Sequence, residues 1–87
     1  MKISFFFFLV KSSGDVVVSD TGNNKIKVYD SGGRFKFEFG SHGNEDGKFH
    51  DPKGVCIGNN GEIYVSDLLN DRVQVFDPIG NFIRKIK

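Results

Sequence analysis

Along most of this chain polar and apolar residues alternate with the period of a β-strand. Lys25–Tyr29 and Arg72–Phe76 alternate in step with each other. Arg34–Phe39 alternates strictly, with Phe35, Phe37 and Phe39 on one side and Arg34, Lys36 and Glu38 on the other. Successive strand residues point to opposite faces, so each of these runs predicts a strand with two unlike faces. Asp15–Ser19 and Glu62–Ser66 are apolar, β-branched runs and predict strands as well, as does the short Val55–Ile57. Asn81–Ile86 predicts a less regular strand, because Ile83 breaks the alternation. Asp30-Ser31-Gly32-Gly33 and Asp77-Pro78-Ile79-Gly80 read as hairpin turns. Pro78 presets the φ of a type I turn, and Gly33 and Gly80 suit the left-handed position that follows it. Asn60-Gly61 marks a further turn, and no stretch keeps a helical period beyond a turn or two.

The pattern repeats. Displaced by 47 positions, Gly14–Phe39 falls on Gly61–Ile86 without a gap. Gly14, Val18, Ser19, Asp20, Asn23, Val28, Asp30, Gly33 and Phe35 meet identical residues. Val16 meets Ile63, Lys25 meets Arg72, Ile26 meets Val73 and Tyr29 meets Phe76. The same displacement lays Phe8-Leu9-Val10 on Val55-Cys56-Ile57, so the opening run FFFFLV occupies the place of a first strand. Met1–Phe7 does not match Lys48–Gly54. As a membrane segment the run is too short, since a spanning helix needs about 20 apolar residues. As a secretion signal residues 1–13 have a basic Lys2 and an apolar stretch but lack an A-x-A cleavage pattern.

Antiparallel strands in groups of four, recurring every 40 to 50 residues or so, predict the blades of a β-propeller. The fold expected is all-β: two four-stranded antiparallel blades of a partial propeller. Residues 1–40 form the first blade with a degenerate first strand, 41–54 an inter-blade loop and 55–87 the second blade. Two blades alone leave apolar sheet faces and strand edges uncovered. The expected cover is either more copies of the chain or further repeats in a longer one.

The motif Asp20-x-x-Asn23-x-Lys25-Ile26-x-Val28-Tyr29, its counterpart Asp67-x-x-Asn70-x-Arg72-Val73-x-Val75-Phe76, the stretch Gly40–Phe49 and Pro52-Lys53-Gly54-Val55 together resemble the NHL repeat. That resemblance spans Gly14 to Lys87. It implies six-bladed propellers, often at the C-terminus of tripartite-motif ubiquitin ligases, that bind protein or RNA while a separate RING domain carries ligase activity. This chain departs from the family in having two repeats, the first without G-S-x-G and P-x-G-V segments, and no RING or B-box cysteine pattern. Three chains would supply six blades, which makes a homotrimer one expectation.

In an up-and-down blade, alternate connections lie at one end. The loops Asp20–Lys25 and Asp67–Arg72 should therefore share an end with Gly40–Gly54. That end would carry Asn23, Asn24, Lys25, His42, Lys48, His50, Lys53, Asn70 and Arg72 as candidates for binding a protein partner or single-stranded RNA. Glu45, Asp46, Asp51 and Asp71 dilute its charge. Asp20 and Asp67 are expected to fix their turns by accepting backbone N–H groups one or two residues on, with Gly33 and Gly80 as the structural turn glycines. Some NHL-type lyases hold zinc through histidines, but His42 and His50 with no intervening cysteine read as loop residues, so no metal or cofactor is expected. Arg84, Lys85 and Lys87 read as a guard on the edge strand.

Charge narrows the choice of partner. Twelve Lys and Arg against eleven Asp and Glu give a net charge of +1, without the excess of a dedicated nucleic-acid binder. The single cysteine allows no intrachain disulfide, which suits a cytoplasmic setting, secretion being the alternative if residues 1–13 act as a signal. Cys56, between Val55 and Ile57, is expected to be a small buried hydrophobe. No nucleophile–base set stands out. The function expected is a non-catalytic module that docks proteins through its loops, as in ubiquitin-ligase substrate recognition. RNA binding through the same loops and a fragment of a lyase or hydrolase are the alternatives.

Overall fold

A computed structural model describes residues 8–87. The strands β1 (Phe8–Val10), β2 (Val16–Asp20), β3 (Lys25–Tyr29) and β4 (Phe35–Phe39) form one antiparallel meander. A second meander contains β5 (Pro52–Ile57), β6 (Ile63–Asp67), β7 (Arg72–Phe76) and β8 (Phe82–Ile86). The two four-stranded sheets match the all-β expectation and are consistent with propeller blades. Phe8–Val10 is a strand, as its alignment with β5 required; Phe5–Phe7 lie outside the described residues. β2 and β6 run one residue later than the apolar runs suggested. β5 starts at Pro52, ahead of the expected Val55, because an irregularity between Pro52 and Val55 lets Pro52 pair with Asp67.

Four hairpin turns share one construction. In the β3–β4 turn the Asp30 N–H donates to the Arg34 carbonyl at 2.8 Å and the Gly33 N–H to the Asp30 carbonyl at 3.0 Å. The same two bonds recur at Lys11–Asp15, Gly58–Glu62 and Asp77–Asn81. Gly33 and Gly80, at φ of 85° and 92°, take the left-handed position that a side chain would resist. Both β3–β4 and β7–β8 carry a register shift just before the turn, at Val28/Tyr29 and Val75/Phe76. This bulge re-aims the start of the last strand, so the predicted single face of Phe35, Phe37 and Phe39 divides. Phe37 and Phe39 pack on the core, whereas Phe35 is 54% exposed.

The sheets pack face to face. Register places Leu9, Val17, Ile26, Val28, Phe37 and Phe39 on the inner face of the first. Val55, Ile57, Ile63, Val65, Phe76 and Phe82 oppose them from the second. Phe49, from the connecting loop, is fully buried between them. Its ring centroid lies 5.5 Å from that of Phe76 and 6.4 Å from that of Phe39, and Phe39 and Phe76 are 4.7 Å apart. Burying a Phe side chain is worth about 1.5–3 kcal/mol, so these three rings are the main rivet between the sheets. Among the described residues no helix is long and apolar enough to cross a membrane.

Candidate functional site

The connections β2–β3, β6–β7 and β4–β5 meet at one end of the sheets, as the meander topology demanded. The first two are 3-10 turns, Thr21–Asn23 and Leu68–Asn70, each closed by a left-handed residue: Asn24 at φ 55° and Asp71 at φ 56°. Asn and Asp tolerate that conformation better than most residues. The Asn24 side chain also accepts the Asp51 N–H at 2.8 Å, and Ser19 Oγ and Thr21 Oγ1 both donate to the Pro52 carbonyl. The first unit thereby grips the start of the second.

Beneath the connecting loop lies a buried polar network. Asp67 is fully buried. Its Oδ1 accepts the His50 N–H at 2.7 Å, and its Oδ2 accepts Arg72 Nε at 2.7 Å, Asn70 Nδ2 at 3.0 Å and Gln74 Nε2 at 3.2 Å. Arg72 Nη2 donates to the carbonyls of Glu45 and Lys48, both at 2.9 Å. Gln74, also fully buried, accepts the Gly47 N–H and donates to Lys48 O, while Asn70 donates to Gly43 O. Among the described residues no buried side-chain polar atom lacks a partner. Arg72, expected at the surface, is therefore an internal strut: loop carbonyls that a strand cannot satisfy take up its donors. Asn70 is committed in the same way. Asp67 does not fix its own turn through nearby N–H groups; it neutralises Arg72 and holds the loop. Asp20 accepts the Asn23 side chain at 2.9 Å and pairs with Lys27 at 3.2 Å, again with no side-chain cap bond. That hydrogen bond to Asp20 holds the Lys27 pKa above the usual lysine value.

Three lysines at this end are paired, whereas Lys87, near Asn44 and Leu69, has no ion pair among the described residues. Lys25 meets Glu38, Lys48 meets Glu45 at 3.1 Å and Lys53, within β5, meets Asp51 at 3.8 Å. Beyond the candidate group, Lys85 reaches Asp46 at 2.9 Å. The exposed imidazoles of His42 and His50 meet edge to face at 4.9 Å. Among the described residues no three His, Cys, Asp or Glu side chains gather as a metal-binding group. Sequence reasoning missed Leu68 and Leu69, which are 48% and 60% exposed. The Leu69 N–H donates to the His50 carbonyl at 3.1 Å, which ties the backbone of this turn to the connecting loop. Their departure from Thr21-Gly22 in the first unit was the available clue. Cys56 is exposed on the outer face of β5, because the sheet surface it belongs to is uncovered.

Residues 49–76 match the family model described as NHL repeat. The chain is similar to Protein brain tumor of Drosophila melanogaster, 39% identical over 51 residues, which is 59% of this chain and 5% of that protein. It is also similar to the B-box type zinc finger protein ncl-1 of Caenorhabditis elegans, 55% identical over 29 residues, 33% of this chain and 3% of that one. The matched stretch is thus a small part of either relative. Residues 49–76 thus carry the match to an NHL repeat, and the motif within them recurs 47 residues earlier in the first unit, consistent with the NHL-repeat family.

Proposed function

We propose that the chain is a non-catalytic interaction module that docks protein partners through the loop end, within a six-bladed arrangement completed by further copies or further repeats. The observation that carries this reading is the pairing of Lys25, Lys48 and Lys53 with carboxylates at an end that also exposes Leu69, His42 and His50. Paired lysines offer little to a phosphate backbone, whose binding rests on counterion release by free basic groups. An exposed leucine and two exposed imidazoles at one end, among mostly paired charges, suit a protein surface better. On the resemblance of the repeat, the reading extends to a cytoplasmic module that takes part in substrate recognition for a ubiquitin ligase.

The test is quantitative capture from cells with the wild-type chain and with Leu69→Asp, each checked for an unchanged circular dichroism spectrum. Specific partners should fall at least about tenfold in the variant, since a central hot-spot residue is worth roughly 2 kcal/mol or more. Partners retained in full would refute the site. RNA is the second reading: a titration with short single-stranded RNA at two salt concentrations should show little binding, and strong, salt-sensitive binding would turn the assignment to RNA. Stoichiometric zinc in the purified protein would reopen the lyase reading.

A further inference from the structure

Four hairpin turns of one construction carry different residues ahead of their left-handed glycine: Ser13 before Gly14, Gly32 before Gly33, Asn60 before Gly61 and Ile79 before Gly80. Of these, the β5–β6 turn puts a carboxamide there. Asn60 is also the one asparagine of the sequence that is followed by glycine. A backbone nitrogen can attack the preceding carboxamide most readily where its own residue has no side chain to crowd the approach.

The structure separates Asn60 from the other asparagines. The carboxamide of Asn23 donates to Asp20, that of Asn70 to Asp67 and Gly43 O, and that of Asn81 to Asp77, while Asn24 Oδ1 accepts the Asp51 N–H. Asn44 and Asn59 are exposed, but residues with side chains, Glu45 and Asn60, follow them. Asn60 is exposed, and its Oδ1 accepts the Glu62 N–H at 3.2 Å, an Asx turn. That N–H sits on the oxygen that gains charge when the amide carbon is attacked, and a donor so placed stabilises the oxyanion. Ser13 Oγ accepts the Asp15 N–H at 3.4 Å at the matching place, but a hydroxyl has no carbonyl to attack. The Gly61 N–H donates to the Gly58 carbonyl of its own turn at 3.0 Å, so opening that one turn frees it. At Asp46-Gly47 the Gly47 N–H is instead held at 2.8 Å by Oε1 of the fully buried Gln74.

We infer that Asn60 is a site of spontaneous deamidation, with the Gly61 nitrogen as nucleophile. The Gly61 N–H gives its proton to water, and the nitrogen forms a bond to Asn60 Cγ. The bond from Cγ to Nδ2 breaks, and Nδ2 leaves as ammonia with a proton taken back from water. One water then opens the five-membered imide, at Cγ to give aspartate or at the backbone carbonyl carbon to give isoaspartate. Nothing is oxidised or reduced. Either product adds one negative charge to a chain of formal net charge +1. Isoaspartate also lengthens the backbone by a methylene, inside a turn whose Gly61–Gly58 and Gly58–Glu62 bonds set the register of β5 on β6. Those strands carry Val55, Ile57, Ile63 and Val65 to the core, and Gly61 sits beside Pro78 of the β7–β8 turn. The isoaspartyl chain should therefore melt at a lower temperature than the aspartyl one. The β5–β6 turn lies at the end opposite the β6–β7 loop, so the modification is independent of what the loop end binds.

Incubation of the folded 87-residue chain at neutral pH and body temperature, followed by peptide mapping with mass spectrometry, tests the inference. The peptide holding Asn60 should gain the mass of an amide turned acid before any other asparagine changes. It should also split on chromatography into aspartate and isoaspartate forms. Asn60→Ser, which installs the residue type of the matching turn in the first unit, should keep the circular dichroism spectrum and release far less ammonia than the wild type. An Asn60 amide that survives weeks of incubation overturns the inference, as does earlier loss at Asn44 or Asn59. Isoaspartate appearing at Asp46 in step with Asn60 also overturns it, since Gly47 would then be no better held than Gly61.

Discussion

Asp67 takes four donors while fully buried, and Arg72 gives three of its own to Asp67 and the loop. Removing one member of a buried ion pair strands the other charge, so Arg72→Ala should lower stability by about 3–5 kcal/mol. Lys25→Ala removes a surface pair and should cost no more than about 1 kcal/mol. Urea denaturation of the two variants reads the difference, and similar midpoints would mean that the Asp67 network is not what it looks to be. Asp77 gives a test in pH. Hydrogen bonds from Asn81, led by its backbone N–H, hold the Asp77 carboxyl below the usual carboxylate range. A pKa lowered by folding contributes stability that is present above the unfolded value and lost as pH falls through the folded one. Asp77→Ala should therefore differ most from wild type near neutral pH, and the gap should shrink through the acid range.

At the scale of elements, the turns separate conformation from contact. Gly33 and Gly80 hold the same left-handed position, but a Cβ at Gly33 would meet nothing within 4 Å, whereas one at Gly80 would lie 2.7 Å from Phe39 Cδ1. Gly33→Ala should cost about 1–2 kcal/mol from backbone strain alone. Gly80→Ala should cost clearly more, because Phe39 must leave its seat, and thermal melts of the pair would show the two costs apart. Strands and hairpins were legible because alternation and Asp-x-x-Gly turns are local. The blade-end gathering of loops followed from topology. The exposure of Arg72 and the burial of Cys56 were misread because both depend on distant cover. The loop residues Gly43–His50 close over Arg72, and among the described residues none covers the exposed Cys56. Phe49 was invisible as a core residue, since a loop has no period to reveal which ring turns inward.

The whole molecule is a thin slab, 38 × 32 × 16 Å, whose two layers share one aromatic rivet. Phe49→Ala should cost about 3–5 kcal/mol and loosen the two sheets together rather than the second alone. Coincident loss of near- and far-ultraviolet circular dichroism on denaturation would bear this out, and separate transitions would contradict it. The rivet also sets an order of events. Phe39 and Phe49 are only ten residues apart, while Phe76 lies 27 residues beyond Phe49. Shorter loops close at lower entropic cost, so the first ring contact to form on refolding is the one across the linker, and β7 then docks on a pair already made. In stopped-flow kinetics, truncating Phe49 should chiefly slow refolding, whereas shaving Phe82 at the rim should chiefly speed unfolding.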